Sequence, residues 1–330
     1  MIDHDTLLEV MALGEQRRAE RRRFIQIAGT AVMAAGGAAM LSACGHDDDE
    51  YLPTPTPTPT PTSSIAQGDL DILNFALNLE YLESNYYVMA ATGSGLNDTL
   101  RTGTGTQGAL TGGRKVAFAD ATVASYAREI AADENQHVNF LRGQLGSAAV
   151  AMPAINIDGG ATGAFTAAAR SAGVVGPTGT FDPYASDDNW LLGGMLLSDV
   201  GVTAYKGSAS AISSKVILDA AAGILAVEAY HSGLLRTLLY RRGVETPALR
   251  TNAELISNAR DTLDGPLDLD QGITGTATTS NIVPADTNGI VFGRTPGQVL
   301  NIAYLNKAAV TSGGFFPAGV NGNVKSSAAN

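Results

Sequence analysis

The motif Glu-x-x-His occurs twice in this chain, each time inside a long stretch with helical periodicity. In residues 220–240, AAAGILAVEAYHSGLLRTLLY, apolar side chains return every three or four positions and no proline interrupts them, the pattern of a buried helix. Glu228 and His231 lie on its apolar stripe with Ile224, Leu235 and Leu238. Residues 125–145, SYAREIAADENQHVNFLRGQL, repeat the arrangement: Glu134 and His137 share a stripe with Ala127, Ile130, Leu141 and Leu145. A carboxylate and an imidazole turned into an apolar seam are costly unless something there satisfies them. A metal ion held between two such helices is the simplest candidate, and two further helices each giving a carboxylate would complete a dinuclear site. The competing reading makes them core histidines, each hydrogen-bonded to its own glutamate. The chain has four histidines, and His4 and His46 fall in or just after the leader. Both of those left for the folded body carry glutamate three residues earlier, a repetition that packing alone does not require.

The rest of the body supplies the frame. Residues 69–91, DLDILNFALNLEYLESNYYVMAA, read as a first core helix, with Leu73, Ala76, Glu80 and Tyr87 on one face. Glu80 is its candidate ligand, and Glu83, one turn on, is placed as a carboxylate that supports the ligands from behind or shuttles at the site. A Gly/Thr-rich loop over 92–113 leads to the second helix, expected over 115–145. Residues 146–188 form a long link with one short helix near 165–171, and residues 189–213 form a glycine-rich third core helix. The link suits a crossover that makes the second and third helices run the same way. The expected fold is therefore all-α, a four-helix bundle over 67–245, with a loop-rich extension over 246–330 packed on it. Within the extension 262–287 read as loop and 295–306 as one short helix with proline near its start. The aromatics of GGFFPAGVNG near the end need docking on the bundle.

Residues 1–44 read as an export leader. Arg21, Arg22, Arg23, Phe24 and Ile25 fit the twin-arginine pattern, and a short Ala/Gly-rich run then ends in Leu41-Ser42-Ala43-Cys44. That tetrapeptide resembles a lipobox, which makes Cys44 the expected lipidation site and membrane anchor. Cys44 is the single cysteine, so no intramolecular disulfide can form. Residues 45–66 form a tether whose five Pro-Thr units favour an extended spacer, about 30 Å at about 3.1 Å per residue. The expected location is periplasmic or cell-surface. The formal net charge is −11 with no basic patch, which excludes nucleic acid as a partner. With both body histidines already placed in the doublet, no Ser-His-Asp arrangement can be built, and no standing phosphate loop is present.

LNFALNLEYLESNYY, ENQH, DVGVTAYKG, ILAVEAYH, RTPGQVLNIAY and GGFFPAGVNG together resemble the ferritin-like proteins related to plant desiccation-response proteins. The resemblance runs from Asp69 to Gly322. It implies a ferritin-like four-helix bundle with a dinuclear iron or manganese site held by Glu80, Glu134, His137, Glu228 and His231. The third helix departs from the pattern. Similar chains tend to read Leu-Glu-Asp before Gly-Val, whereas here the residues are Leu197-Ser198-Asp199. Either Asp199 reaches the site as a metal ligand or the second position is weak or empty. Carboxylate and imidazole donors together favour iron or manganese, with O2 or peroxide as the small-molecule partner. Ferroxidase-like oxidation or peroxide removal in stress protection is one expectation. A non-enzymatic surface stress or scaffold protein with a degenerate site is the other.

Overall fold

The computed structural model describes residues 65–330. The leader, Cys44, His46 and nearly all of the tether lie outside these residues. Seven α-helices are described: α1 (Gln67–Thr92), α2 (Ala121–Leu145), α3 (Ala164–Ala172), α4 (Asp187–Ser208), α5 (Lys215–Arg242), α6 (Ala248–Asp264) and α7 (Pro296–Ala303). The longest four, α1, α2, α4 and α5, make the bundle. Side-chain pairings set their directions. Along α1 and α2, Tyr81 meets Arg142 and Ser84 meets the Glu134 carbonyl, so the two are antiparallel. Along α1 and α4, Tyr86 meets Trp190 and Glu80 meets Tyr205, again antiparallel. Helices α2 and α4 therefore run the same way, joined by the expected long crossover. The crossover adds a strand, β2 (Ile155–Asn156), which pairs in parallel with β1 (Leu110–Thr111) from the loop after α1.

Helix α1 is the centre of the packing, buried on every face from Leu73 to Tyr87. Each fully buried Leu or aromatic there contributes roughly 1.5–3 kcal/mol of transfer free energy. Its buried polar side chains are mostly paired. Asn74 donates to the Ala148 carbonyl at 3.1 Å, and Asn78 exchanges hydrogen bonds with the backbone of Asn321. That exchange pins the chain's tail to the bundle. Phe315 and Phe316 are both buried, and Phe315 stacks edge-on against Phe165 at 5.1 Å.

Two element boundaries and one whole helix differ from the sequence expectation, each for a local reason. Helix α2 begins at Ala121, not at 115, because the Asp120 side chain accepts from Thr122 N–H and Val123 N–H and caps the helix there. Upstream, Val116 N–H donates to the Ala90 carbonyl, which holds 115–119 against the end of α1. Helix α4 gives way to a 3-10 turn after Ser208 because Asp69 captures the backbone N–H groups of Ser213 and Ser214, at 2.7 and 3.0 Å. Helix α6 was not expected at all. Its buried residues Leu249, Ala253, Ile256 and Arg260 fall at helical spacing, but their stripe includes the charged Arg260 and Asp264.

Those charges bind the extension to the bundle. Arg236, Arg260 and Arg294 are fully buried and meet Asp199, Asp264 and Asp270 in one connected ion network. Arg294 N–H also donates to the Thr203 carbonyl of α4, and its own carbonyl sits where a side chain on Gly207 would begin. Glycine is required there by that close backbone approach.

Candidate metal centre

Midway along the bundle, α1, α2 and α5 turn charged side chains towards one point. Glu80, Glu134, His137 and Glu228 each place one donor atom within 4.8 Å of all the others, and all are buried. His137 Nδ1 lies 3.3 Å from Glu80 Oε2, 3.3 Å from Glu228 Oε1 and 3.8 Å from Glu134 Oε2. His231 joins through Glu134, its Nδ1 standing 3.1 Å from Glu134 Oε1. The two Glu-x-x-His pairs thus meet across the α2–α5 seam, with imidazole centroids 6.2 Å apart and Glu134 between them.

Two supporting residues were not singled out from the sequence. Tyr205 of α4 donates its hydroxyl to Glu80 Oε1 at 2.5 Å and fixes that carboxylate. Asp133, half-exposed, sits 3.3 Å from His231 Nε2 and links the site to the surface. Asp133 directly precedes Glu134, and Tyr205 lies in DVGVTAYKG, but neither has a spacing of its own that marks it. Glu83 is buried one turn beyond Glu80.

Burial pushes the Glu80 carboxyl up to about 8 even with His137 beside it. Burial also raises Glu83 well above its ordinary range, and the neighbouring charges of Glu228, Glu134 and Glu80 add to this. Glu134 goes the other way: burial opposes its charge, yet the two imidazoles of His137 and His231 beside it hold it at about 2. His231 is raised to about 10, burial being outweighed by Asp133 and Glu134, and His137 is raised further by the three carboxylates around it. The carboxylates thus favour the cationic form of both imidazoles, which shows how strongly this buried point attracts positive charge.

The third core helix requires a correction. Asp199 is not at this site: it is turned about 100° from the Ser198 face and is consumed by the ion network. It accepts from Ser232 at 2.6 Å, Arg236 at 2.8 Å and Arg260 at 2.9 Å. Two buried guanidiniums hold its carboxylate below the ordinary range, against the effect of burial. Ser198 faces α1 instead, where its hydroxyl meets the Tyr87 hydroxyl at 2.7 Å.

Residues 68–241 match the ferritin-like domain family. The chain belongs to that family. Among curated relatives, a ferritin-like catalase, Nec2, from Nesocodon mauritianus is 27% identical over 274 residues, covering 79% of this chain and 86% of the relative. The desiccation-related protein PCC13-62 from Craterostigma plantagineum is 31% identical over 253 residues, covering 72% and 77%. No solved structure matches the chain.

The ferritin-like site fits a metal by the state of its donors. Glu80 Oε2, Glu134 Oε2, both oxygens of Glu228 and His137 Nδ1 are buried without a hydrogen-bond partner. Each such atom costs about 1–3 kcal/mol, more when charged. Carboxylate oxygens with an imidazole nitrogen are a donor set that suits a divalent metal ion, and the rigid helices hold them in place.

Proposed function

We propose that this ferritin-like protein holds a dinuclear iron or manganese site and removes hydrogen peroxide. The observation that carries the reading is the convergence of Glu80, Glu134, His137 and Glu228 on one buried point, each with a donor atom that has no hydrogen-bond partner. The likeness to a ferritin-like catalase supports peroxide as substrate over iron. Two peroxide molecules give two waters and one dioxygen: one loses two electrons and two protons, and the other gains both. A bound metal pair supplies the two-electron store between the halves.

The protein's own part is placement, dryness and proton handling. Glu134 and Glu228 lie between the helices where they can be shared by both positions, Glu80 is aimed by Tyr205, and the surrounding core keeps out bulk water. Asp133 is the one carboxylate at the site with substantial solvent contact, and it meets His231 Nε2, so protons released or needed inside have a route through this pair. The second reading, a stress or scaffold protein with a degenerate site, is favoured by Ser198, since α4 sends no carboxylate to the centre.

Metal per chain and dioxygen release from peroxide, measured on full-length protein, decide between them. The redox reading expects bound iron or manganese, with dioxygen release at least about tenfold lower in His137→Ala and His231→Ala. Full metal content in the double variant, or metal-free active protein, rejects it. We further infer that the chain is exported and lipid-anchored, on the strength of Arg21 to Ile25 and of Cys44 in its Leu-Ser-Ala-Cys setting.

A further inference from the structure

We propose that Glu83 is a ligand of the second metal position, replacing the carboxylate that α4 does not send, and that Gly201 is the residue that makes room for it. The inference rests on the dinuclear reading above. Glu83 follows Glu80 by three residues on α1, which puts the two on one face, one turn apart. It is buried, and its Oε2 has no hydrogen-bond partner. Where α4 passes this point it carries Gly201, one turn beyond Ser198. A side-chain carbon built on Gly201 would stand 2.8 Å from Glu83 Oε1 and 2.8 Å from Glu228 Oε2. The two oxygens are therefore no more than twice that distance apart, both pressed against the bare backbone of α4.

This placement divides the carboxylates into two sets. Glu228 Oε1 faces His137, while Glu228 Oε2 shares the space beside Gly201 with Glu83 Oε1. Glu134 likewise faces His137 with Oε2 and His231 with Oε1. Glu228 and Glu134 each span the centre, Glu80 closes one end, and Glu83 is the unpartnered carboxylate left for the other.

Charge makes the same demand. Two divalent ions bring four positive charges into a dry interior, where uncompensated charge is costly. Glu80, Glu134 and Glu228 supply only three negative charges when the histidines are neutral ligands; Glu83 supplies the fourth. In a metal-free protein the same carboxyl group is a liability, buried among three others with its Oε2 left without a hydrogen-bond partner. Beside Glu83 and Gly201 lies a small cavity of about 30 Å³ whose other walls are apolar, Leu79, Leu82, Leu197 and Val299 among them. It offers no polar protein group to satisfy Glu83 instead.

The test compares full-length wild type with Glu83→Gln and Gly201→Ala, each stripped and reloaded with Mn(II) alone. Three readings are taken: manganese per chain, the electron paramagnetic resonance signal, and the melting temperature with and without metal. The glutamine variant keeps shape and removes charge. The alanine variant keeps Glu83 but pushes its carboxylate and that of Glu228 off their positions; because those are ends of flexible side chains, the helix itself is undisturbed. Wild type is expected to bind two ions with a spin-coupled signal. Both variants are expected to bind one, with a mononuclear signal. Metal-free Glu83→Gln is expected to melt higher than metal-free wild type, yet to gain less on adding metal. Two coupled ions in Glu83→Gln overturn this inference and leave the dinuclear reading standing. A single ion in wild type overturns the second position, and no ion in wild type overturns both readings.

Discussion

Asp199 and Ser198 are neighbours in the chain, yet the structure gives them unrelated work. The rise and rotation of one helical residue send Ser198 to Tyr87 and Asp199 to Arg236 and Arg260. Sequence alone offered Asp199 as a metal ligand because it is the nearest carboxylate to the family's missing glutamate. What it could not show was the arginine from α6 that arrives from sixty-odd residues away in the chain. Asp199→Asn is therefore expected to leave metal per chain unchanged while lowering stability by about 3–5 kcal/mol, since it strands buried guanidiniums. Denaturant unfolding alongside metal analysis checks this; loss of metal in a variant that still unfolds cooperatively would return Asp199 to the site. Glu80, Glu134, His137, Glu228 and His231 were legible because a polar side chain on an apolar helical stripe is visible as a break in pattern. Tyr205 and Asp133 break no pattern and were not.

Among the elements, the four bundle helices were readable from periodicity, and α6 was not. Its inward stripe mixes Leu249, Ala253 and Ile256 with Arg260 and Asp264, so hydrophobicity alone misses it. The acidic end of α6 also carries a pH dependence. The Asp261 carboxyl is pushed up to about 7, first by burial and then by the charges of Asp270, Asp264 and Asp268, with Arg294 acting in the other direction. In the unfolded chain the same group releases its proton near pH 4. Between about pH 4 and 7 the folded state binds the extra proton, so this group costs stability progressively as pH rises through that window. Asp261→Asn removes the cost. It is expected to gain about 1 kcal/mol at pH 8, after discounting for partial solvent screening, and to change little at pH 4. Thermal melts of both proteins across that range decide it; an equal gain at both ends would place the effect outside titration.

At the scale of the whole molecule, metal and fold should be linked. A ligand that binds only the folded state stabilises it by about 4 kcal/mol at a thousand times its dissociation constant, so chelation is expected to lower the melting temperature and reloading to restore it. An unchanged melting temperature after complete, verified loading would separate the site from the fold. Attachment is expected to depend on one sulfur: Cys44→Ala should move the exported protein from the membrane fraction to the soluble one, and retention through high-salt washing would reject the lipid anchor. Among the described residues no helix is long and apolar enough to cross a membrane, so no described helix offers a spanning anchor in its place. The sequence by itself determined the number of bundle helices, the doubled Glu-x-x-His pair and the long crossover, because periodicity and spacing are local properties that a helix converts directly into faces. Tertiary structure alone decided which buried carboxylates face the centre and which face arginine. Glu80, Glu83, Asp199 and Asp264 all lie on helices and all are buried, but a charge in a core takes its role from the partner that satisfies it, and those partners come from distant parts of the chain.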